Sequence, residues 1–254
     1  MPALHRPDEI FSRRHVPTWI MLTFAAGCVN AIAMVACEHF VTHVTGTVTK
    51  LGTELADLSH LREFVMALAC FIGGAMASGM LINARVHRGK RPLYAAPLVV
   101  VAVTTAAVAL AGHAGLLGMF GGALLDAGDF VLLSVLSFAS GLQNAAVATS
   151  TGLLVRTTHL TGPATDLGIH LVEFVCAEGD VKRSAKRHAL LRAGKIVAFA
   201  VGAASGVTLA HGLHFLAFLV PAAIVLVATA LSFLHVPNGD RAMLRPPSPS
   251  AAAL

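Results

Sequence analysis

The chain has 254 residues, of which 56% are hydrophobic and only 12% are charged, and its mean hydropathy is +0.76. A soluble protein of this length needs far more charge on its surface, so the composition excludes a soluble globular fold and indicates an integral membrane protein. The net charge of +5 does not indicate nucleic-acid binding, because the basic residues lie beside apolar stretches rather than along one face with aromatic residues. The predicted partner is therefore the lipid bilayer, and no nucleic acid is expected.

Six apolar stretches come close to the length of about 20 residues that a membrane-spanning helix needs. They predict an all-α membrane domain over residues 18–236, after a polar N-terminal segment (1–17) and before a tail (237–254) whose Pro, Ala and Ser content predicts disorder. Residues 115–125 are apolar but too short to span, and we expect a loop or a shallow re-entrant segment there. The predicted spans are residues 18–37, 64–84, 93–111, 130–151, 190–210 and 213–236.

The distribution of Lys and Arg predicts the orientation of these spans. If the N-terminus is cytoplasmic, every Lys and Arg except Lys50 and Arg62 falls in a cytoplasmic segment, and this count includes Arg156. Because positively charged loops remain on the cytoplasmic side, both termini are predicted to be cytoplasmic.

Two polar patterns occur twice in this apolar chain. Residues 24–31 and 138–145 share the pattern Phe-Ala-x-Gly-x-x-Asn-Ala, and residues 42–46 and 158–162 share Thr-His-x-Thr-Gly. The two patterns repeat at nearly the same spacing, with an insertion of two residues between them. Polar, helix-interrupting sequence that is repeated in a membrane protein indicates a functional site.

The repeat also predicts the topology. Each copy belongs to a unit of three predicted spans, an odd number, so the second unit must enter the membrane from the opposite side. Residues 18–111 and 130–236 are therefore predicted to form inverted-topology repeats about an axis in the membrane plane. Residues 71–78 weakly resemble residues 199–206, although small residues at this density are also typical of close helix packing.

The Thr-His-x-Thr-Gly pattern predicts a broken or re-entrant segment, in which a span ends and a short helix begins after Gly46 or Gly162. Free amides and the positive dipole end at a helix start attract anions, and threonine hydroxyls add neutral donors and acceptors. We therefore expect a small polar solute, with an anion favoured; the alternative is that the threonines only cap irregular backbone. The candidate binding residues are Asn30, His43, Thr45, Gly46, Asn144, His159, Thr161 and Gly162.

The short helices carry charges of opposite sign at equivalent positions, Lys50 in the first and Asp166 in the second. Because ionisable groups at membrane depth are usually paired, these two are predicted to form an ion pair across the axis between the repeats. The alternative is that both helices lie at the membrane interfaces, with the two charges in water.

No metal, cofactor or enzymatic activity is predicted. Glu38, His39 and His43 form one set of possible metal ligands, and His170 with Glu173 forms another, but neither set supplies three clear ligands on one element. The four cysteines are scattered through apolar sequence and are expected to act as small packing residues. The chain shows no nucleophile-elbow pattern.

The doubled Gly-x-x-Asn-Ala and Thr-Gly patterns, in this order and spacing, resemble those of the YoaK-like family of bacterial inner-membrane proteins, a domain of unknown function. The resemblance covers residues 18–236 and implies a six-helix inner-membrane protein, often regarded as a permease. The chain departs from the family pattern at Asn30, where relatives have Asp, and at Thr47, where they have Asn. If that Asp handles protons in relatives, the departure puts proton coupling in question, and the resemblance transfers no ligand residues.

These observations favour a small-solute secondary transporter or permease with its site between the two Thr-Gly segments. The alternative is a membrane scaffold or assembly protein without transport activity, in which the polar patterns only stabilise the fold; an intramembrane enzyme ranks third. A polar cavity that reaches both Thr-Gly segments would favour the transporter over the scaffold. The sequence leaves the oligomeric state open.

Overall fold

The computed structural model describes residues 3–53, 58–122 and 127–233. Helices occupy most of this part of the chain, and it contains no β-strand. The helices are α1 (Pro7–Ile10), α2 (Val16–Cys37), α3 (Val44–Thr53), α4 (Leu58–Leu81), α5 (Asn83–His87), α6 (Ala95–His113), α7 (Ala127–Ser150), α8 (Thr161–Cys176), α9 (Gly179–Leu213) and α10 (Leu219–Ser232), with a 3₁₀ segment (His214–Phe218) between the last two.

Five segments of the described chain are long and apolar enough to cross a membrane. The chain is therefore a multi-pass, all-α membrane protein, as its composition predicted. The five segments are Val16–Cys37, Leu61–His87, Ala95–His113, Ala127–Ser150 and Gly179–Ser232.

The helices differ from the predicted spans mainly at their ends. α4 begins at Leu58 and α9 at Gly179, well before the predicted starts at residues 64 and 190. The 35 residues of α9 extend for about 52 Å, more than a bilayer core requires. Hydropathy misses its first turns because they are charged, whereas Lys, Arg and Ala are good helix formers. Of residues 115–125, predicted as a loop or shallow re-entrant segment, residues 115–122 are not helical, and residues 123–125 lie outside the described residues.

The last apolar segment contains the two stretches that the sequence predicted as separate spans. The helix α9 ends where His214 adopts φ 49° and ψ −129°. Beyond this break the chain turns back, because Gly206 lies against Cys28 in the second half of α2, whereas Ser232 Oγ lies 2.6 Å from Thr18 Oγ1 near the start of α2. The last residues of the predicted sixth span, 234–236, and the predicted tail, 237–254, lie outside the described residues.

The helices pack mainly in two pairs, α2 with α9 and α4 with α7. In the first pair Ile20 lies against Gly194 and Cys28 lies against Gly206, so the residue numbers rise together and the two helices are parallel. The helices α6 and α10 pack against each other, and they also contact α7 and α2 respectively.

The second pair is parallel as well. The Arg62 guanidinium of α4 lies 4.2 Å from the centroid of the Phe130 ring of α7. Further along both helices, Gly74 lies against the backbone of Phe138. Both large helix interfaces thus join segments that run in the same direction.

Glycines bring the backbones of each pair into contact. A Cβ atom built at any of four glycines would overlap a phenylalanine carbonyl group of the partner helix, so each position needs a residue without a side chain. Each of the four helices carries the same Phe-x-x-Gly arrangement, and the phenylalanine carbonyl group of one helix lies against the glycine of its partner. The contacts are Gly27 with Phe199, Gly202 with Phe24, Gly74 with Phe138, and Gly141 with Phe71.

Replacing Gly74 by alanine is expected to destabilise the protein by about 1–3 kcal/mol, because the added methyl group would push α7 away at Phe138. Gly79 lies on the same helix, and a Cβ atom there would meet nothing within 4 Å. Gly79→Ala is therefore expected to be neutral or to stabilise by up to about 1 kcal/mol. Thermal unfolding of both variants in one detergent measures the difference, and equal changes in melting temperature would contradict the packing described here.

The N-terminal segment packs an imidazole into an aromatic cluster. The ring of His5 is 5% exposed, and its centroid lies 4.3 Å from that of His15 and 5.3 Å from that of Trp19. Its Nε2 atom has no hydrogen-bond partner among the described residues. Burial, followed by the nearby charges of His15 and Arg14, lowers the pKa of His5 from 6.5 to about 3. His5 is therefore neutral in the folded protein at physiological pH.

Acid is expected to destabilise the protein through His5. The unfolded chain binds a proton at this histidine near pH 6.5, but the folded chain does so only near pH 3. The contribution of His5 to stability is thus complete above pH 6.5 and falls as the pH drops, by about 2 kcal/mol at about pH 5. His5→Phe keeps an aromatic ring and should remove this dependence, as measured by unfolding at about pH 7.5 and about pH 5. A variant as acid-sensitive as the unmodified protein would contradict this assignment.

Candidate solute-binding cavity

A cavity of about 510 Å³ lies between the two helix pairs. Its volume falls within the range of about 300–1,000 Å³ that is usual for small-molecule sites. Each half of the chain contributes seven of its lining residues. They are Asn30, Phe40, Thr42, His43, Val44, Thr45 and Phe71 from the first half, and Asn144, Arg156, Thr158, His159, Leu160, Thr161 and Phe199 from the second.

The first Thr-Gly segment reaches the cavity by folding back along α2. The backbone amide of Thr42 donates to Asn30 Oδ1 over 3.1 Å, although Asn30 lies about 10 Å before the end of α2 at Cys37. Both Asn30 and Thr42 are buried, at 7% and 6% exposure. The buried carboxamide therefore holds the segment at the level of Asn30 rather than at the end of the helix.

The second segment is held in the same way beside α7. The amide of Thr158 donates to Asn144 Oδ1 over 3.4 Å. Gln143 and Thr157, which directly precede Asn144 and Thr158, are also connected. Gln143 Nε2 donates to Thr157 Oγ1 (3.3 Å) and to the carbonyl of Leu22 on α2 (3.0 Å). Gln143 thus connects the second segment to the first helix of the chain.

Both short helices begin at the cavity. The sequence predicted that they start after Gly46 and Gly162, but α3 starts at Val44 and α8 at Thr161, so each glycine lies in a first turn. The first helical hydrogen bonds are donated by Thr47 to the His43 carbonyl and by Ala164 to the Leu160 carbonyl. The amides that precede these donors, which exclude Pro163 because proline has no N–H, have no acceptor within the helix and could donate to a ligand.

The two glycines make room for neighbouring side chains. Neither Gly46 nor Gly162 lines the cavity. The ring of His43 occupies the space that a side chain at Gly46 would need, and the His159 ring lies 3.3 Å from where a Cβ atom at Gly162 would be. The glycines therefore make room for the histidine rings, whereas the other six predicted residues line the cavity themselves.

Sequence reasoning missed three important lining residues. Phe71 and Phe199 belong to the Phe-x-x-Gly arrangements, which indicated helix packing only. Arg156 was counted as a charge of a cytoplasmic loop, yet it borders the cavity two residues before Thr158. It is the only Lys, Arg, Asp or Glu among the described lining residues, and it forms no ion pair or hydrogen bond with the described chain. The equivalent residue of the first repeat is Phe40, so comparison of the two repeats did not indicate a charged residue at this position.

The ion pair predicted between Lys50 and Asp166 is not the pair that Asp166 forms. Asp166 Oδ2 accepts hydrogen bonds from Arg192 Nε (3.3 Å) and Nη2 (3.2 Å) on α9. Lys50 is exposed on α3, where its Nζ lies 5.7 Å from the centroid of the Phe64 ring. The prediction was wrong because α8 packs along α9, so the nearest cation to Asp166 is on that neighbour rather than at the equivalent position of the repeat.

Asp166 also interacts electrostatically with a second cation on α9. Lys195 lies one turn after Arg192. Lys195 is only 2% exposed and Arg192 only 9% exposed. Asp166 itself keeps 46% of its side chain exposed. A half-exposed carboxylate therefore balances two buried positive charges on α9, which precede the lining residue Phe199 by one to two turns.

Asp166→Asn is expected to destabilise the protein by about 2 kcal/mol, because it leaves Arg192 and Lys195 buried without their anion. The value lies below that of a fully buried pair because the carboxylate is partly solvated. Lys50→Gln is the matched control and should change stability by less than about 0.5 kcal/mol. Thermal unfolding in detergent compares the two variants, and a larger effect at Lys50 than at Asp166 would contradict this arrangement.

Two of the histidines that the sequence considered as metal ligands each lie beside one carboxylate. His39 Nε2 lies 3.1 Å from Glu63 Oε2, and His170 Nδ1 lies 3.0 Å from Glu173 Oε2. Among the described residues, no three His, Cys, Asp or Glu side chains are grouped to hold a metal ion. The four cysteines are free thiols.

The fold and the cavity define a multi-pass all-α membrane protein with a small-molecule-sized cavity among its helices. Residues 18–231 match the family described as "Protein of unknown function (DUF1275)", and the chain belongs to that family. No curated protein and no solved structure matches the chain.

Proposed function

We propose that the protein is a small-solute secondary transporter of a bacterial inner membrane, with its binding site in the cavity between the two Thr-Gly segments. The observation that carries the proposal is the cavity lining, to which both halves of the chain contribute equally. A scaffold that only needed stable packing would gain nothing from a void of about 510 Å³, because a void forfeits packing contacts.

The lining residues also support two inverted repeats. At the spacings of the two repeated patterns, 114 and 116 residues, twelve of the lining residues fall into six equivalent pairs. Phe71 and Phe199, which are 128 residues apart, form a seventh pair through their Phe-x-x-Gly arrangements. Six of the seven pairs have the same chemical character. The pairs are Asn30 with Asn144, Thr42 with Thr158, His43 with His159, Val44 with Leu160, Thr45 with Thr161, Phe71 with Phe199, and, as the one exception, Phe40 with Arg156.

Helix packing supports the same relation. If α2, α3, α4 and α6 correspond to α7, α8, α9 and α10, then the two large interfaces, α2 with α9 and α4 with α7, are equivalent. Both are parallel, and both use the same glycine and phenylalanine contacts. The predicted topology has the first and fifth spans, and likewise the second and fourth, running in the same direction. Six crossings with both termini cytoplasmic therefore agree with the packing.

In this topology the two Thr-Gly segments are re-entrant loops that fold back from opposite membrane surfaces and meet at the cavity. Alternating access would arise when one repeat rocks against the other about this point. The described lining contains no carboxylate, so proton-sensitive gating would fall to His43 and His159. The helix starts and Arg156 favour a solute with negative charge.

Cysteine accessibility tests this proposal without knowledge of the solute. Thr45→Cys and Thr161→Cys are made separately after replacement of Cys28, Cys37, Cys70 and Cys176 by alanine or serine. A membrane-impermeant maleimide is added to one side of right-side-out or inside-out vesicles. We expect each cavity cysteine to react from both sides, because alternating access exposes the site to each side in turn.

Met119→Cys is the matched control for this experiment. Met119 is 80% exposed in the loop between α6 and α7, and it should react only from the side opposite the termini. Cavity cysteines that react from one side only, or from neither, would contradict alternating access and would favour the scaffold.

A further inference from the structure

One pair of lining residues breaks the twofold character of the cavity. Phe40 and Arg156 occupy equivalent positions, but one is an aromatic ring and the other a permanent cation. The remaining six pairs give the two halves of the lining similar amide, hydroxyl, imidazole and apolar groups. The lining contributed by the second half therefore carries a cation where that of the first half carries an aromatic ring.

The guanidinium of Arg156 lacks a counter-ion among the described residues. Arg156 forms no ion pair within the described chain, and the lining described here has no Asp or Glu. The segment that carries Arg156 is fixed directly beside it, because Thr157 is fully buried and accepts a hydrogen bond from Gln143. Arg156 itself is exposed and borders the cavity, so its guanidinium is free to meet an anionic group of a ligand there.

The rest of the cavity is largely apolar. Phe40, Phe71 and Phe199 border it together with Val44 and Leu160. The backbones of Phe71 and Phe199 are fixed by their contacts with Gly141 and Gly27, so these two side chains start from rigid positions. A small, strongly hydrated ion would leave these rings against water, whereas a solute with an apolar body would cover them.

We propose that the cavity binds an amphipathic organic monocarboxylate, with its carboxylate against Arg156 and its apolar body against Phe40, Phe71 and Phe199. This proposal deepens the proposed function and shares its site. A guanidinium forms two parallel hydrogen bonds with a carboxylate, a geometry that other small anions match less well. One fixed cation balances one negative charge, so a phosphate dianion would carry an uncompensated charge into the site.

Equilibrium binding to the purified full-length chain in detergent tests the proposal, by calorimetry or by the shift in melting temperature. The probes are phenylacetate, its neutral isostere phenylacetamide, acetate, hexanoate and inorganic phosphate. We expect phenylacetate and hexanoate to bind at least about tenfold more tightly than phenylacetamide, acetate or phosphate, because only they combine one negative charge with an apolar body.

Variants separate the charge from the apolar contribution. Arg156→Gln should weaken phenylacetate binding by about tenfold or more, whereas Arg88→Gln, an exposed position outside the cavity, should leave it unchanged. Phe71→Ala should weaken phenylacetate binding but not acetate binding, because acetate does not reach the ring. The exchange Phe40→Arg with Arg156→Phe moves the cation to the equivalent position and should restore binding that Arg156→Phe alone removes.

The exchange variant also shows whether a loss of binding reflects misfolding, because it contains the same substitution at Arg156. The proposal would be overturned if phenylacetate and phenylacetamide bind equally well, or if Arg156→Gln binds phenylacetate as tightly as the unmodified protein. It would also be overturned if inorganic phosphate binds more tightly than phenylacetate, or if no carboxylate binds. These outcomes can be distinguished from failure of the proposed transport function. If the cavity cysteines react from both sides but no carboxylate binds, the transport function is supported and the carboxylate proposal is overturned. If a carboxylate binds but the cavity cysteines react from one side only, the carboxylate site is supported and the transport function is contradicted.

Discussion

A buried backbone amide needs a hydrogen-bond acceptor, and the centre of this molecule depends on how the chain meets that requirement in two non-helical segments. Between α2 and α3, and again between α7 and α8, the chain is not helical. Asn30 and Asn144 supply acceptors to the amides of Thr42 and Thr158 in these two places. The carboxamides thereby keep both segments beside their preceding helices, where their short helices can begin at a shared cavity.

Helix packing then fixes the shape of that cavity. The glycine contacts press α2 onto α9 and α4 onto α7, so little space remains within each pair. Phe71 and Phe199 take part in both functions, since their backbones contact Gly141 and Gly27 while the same residues line the cavity. A change in the packing glycines would therefore also move the walls of the site. This coupling explains how a chain with few polar residues can position a polar site.

Hydropathy was sufficient to predict an all-α membrane protein, and six of the eight candidate residues that the internal repeats indicated line the cavity. The helix starts were wrong by a few residues, because Val44 and Thr161 can enter a helix before the glycine that the pattern marks. The partner of Asp166 was not predictable from the repeat, because equivalence in sequence does not imply contact. Arg156 was missed because a charge count treats a loop as a surface segment and cannot show that it folds back.

The arrangement on which both proposals rest is that the two Thr-Gly segments, which follow helices of different pairs, meet at one cavity. Cross-linking of His43→Cys to His159→Cys tests it most directly, in a chain without its native cysteines and in native membranes. We expect a bifunctional thiol reagent much shorter than the bilayer core of about 30 Å to join the two positions within one chain. If the segments instead lie at opposite membrane surfaces, only reagents about as long as that core will join them, and this result would contradict the account.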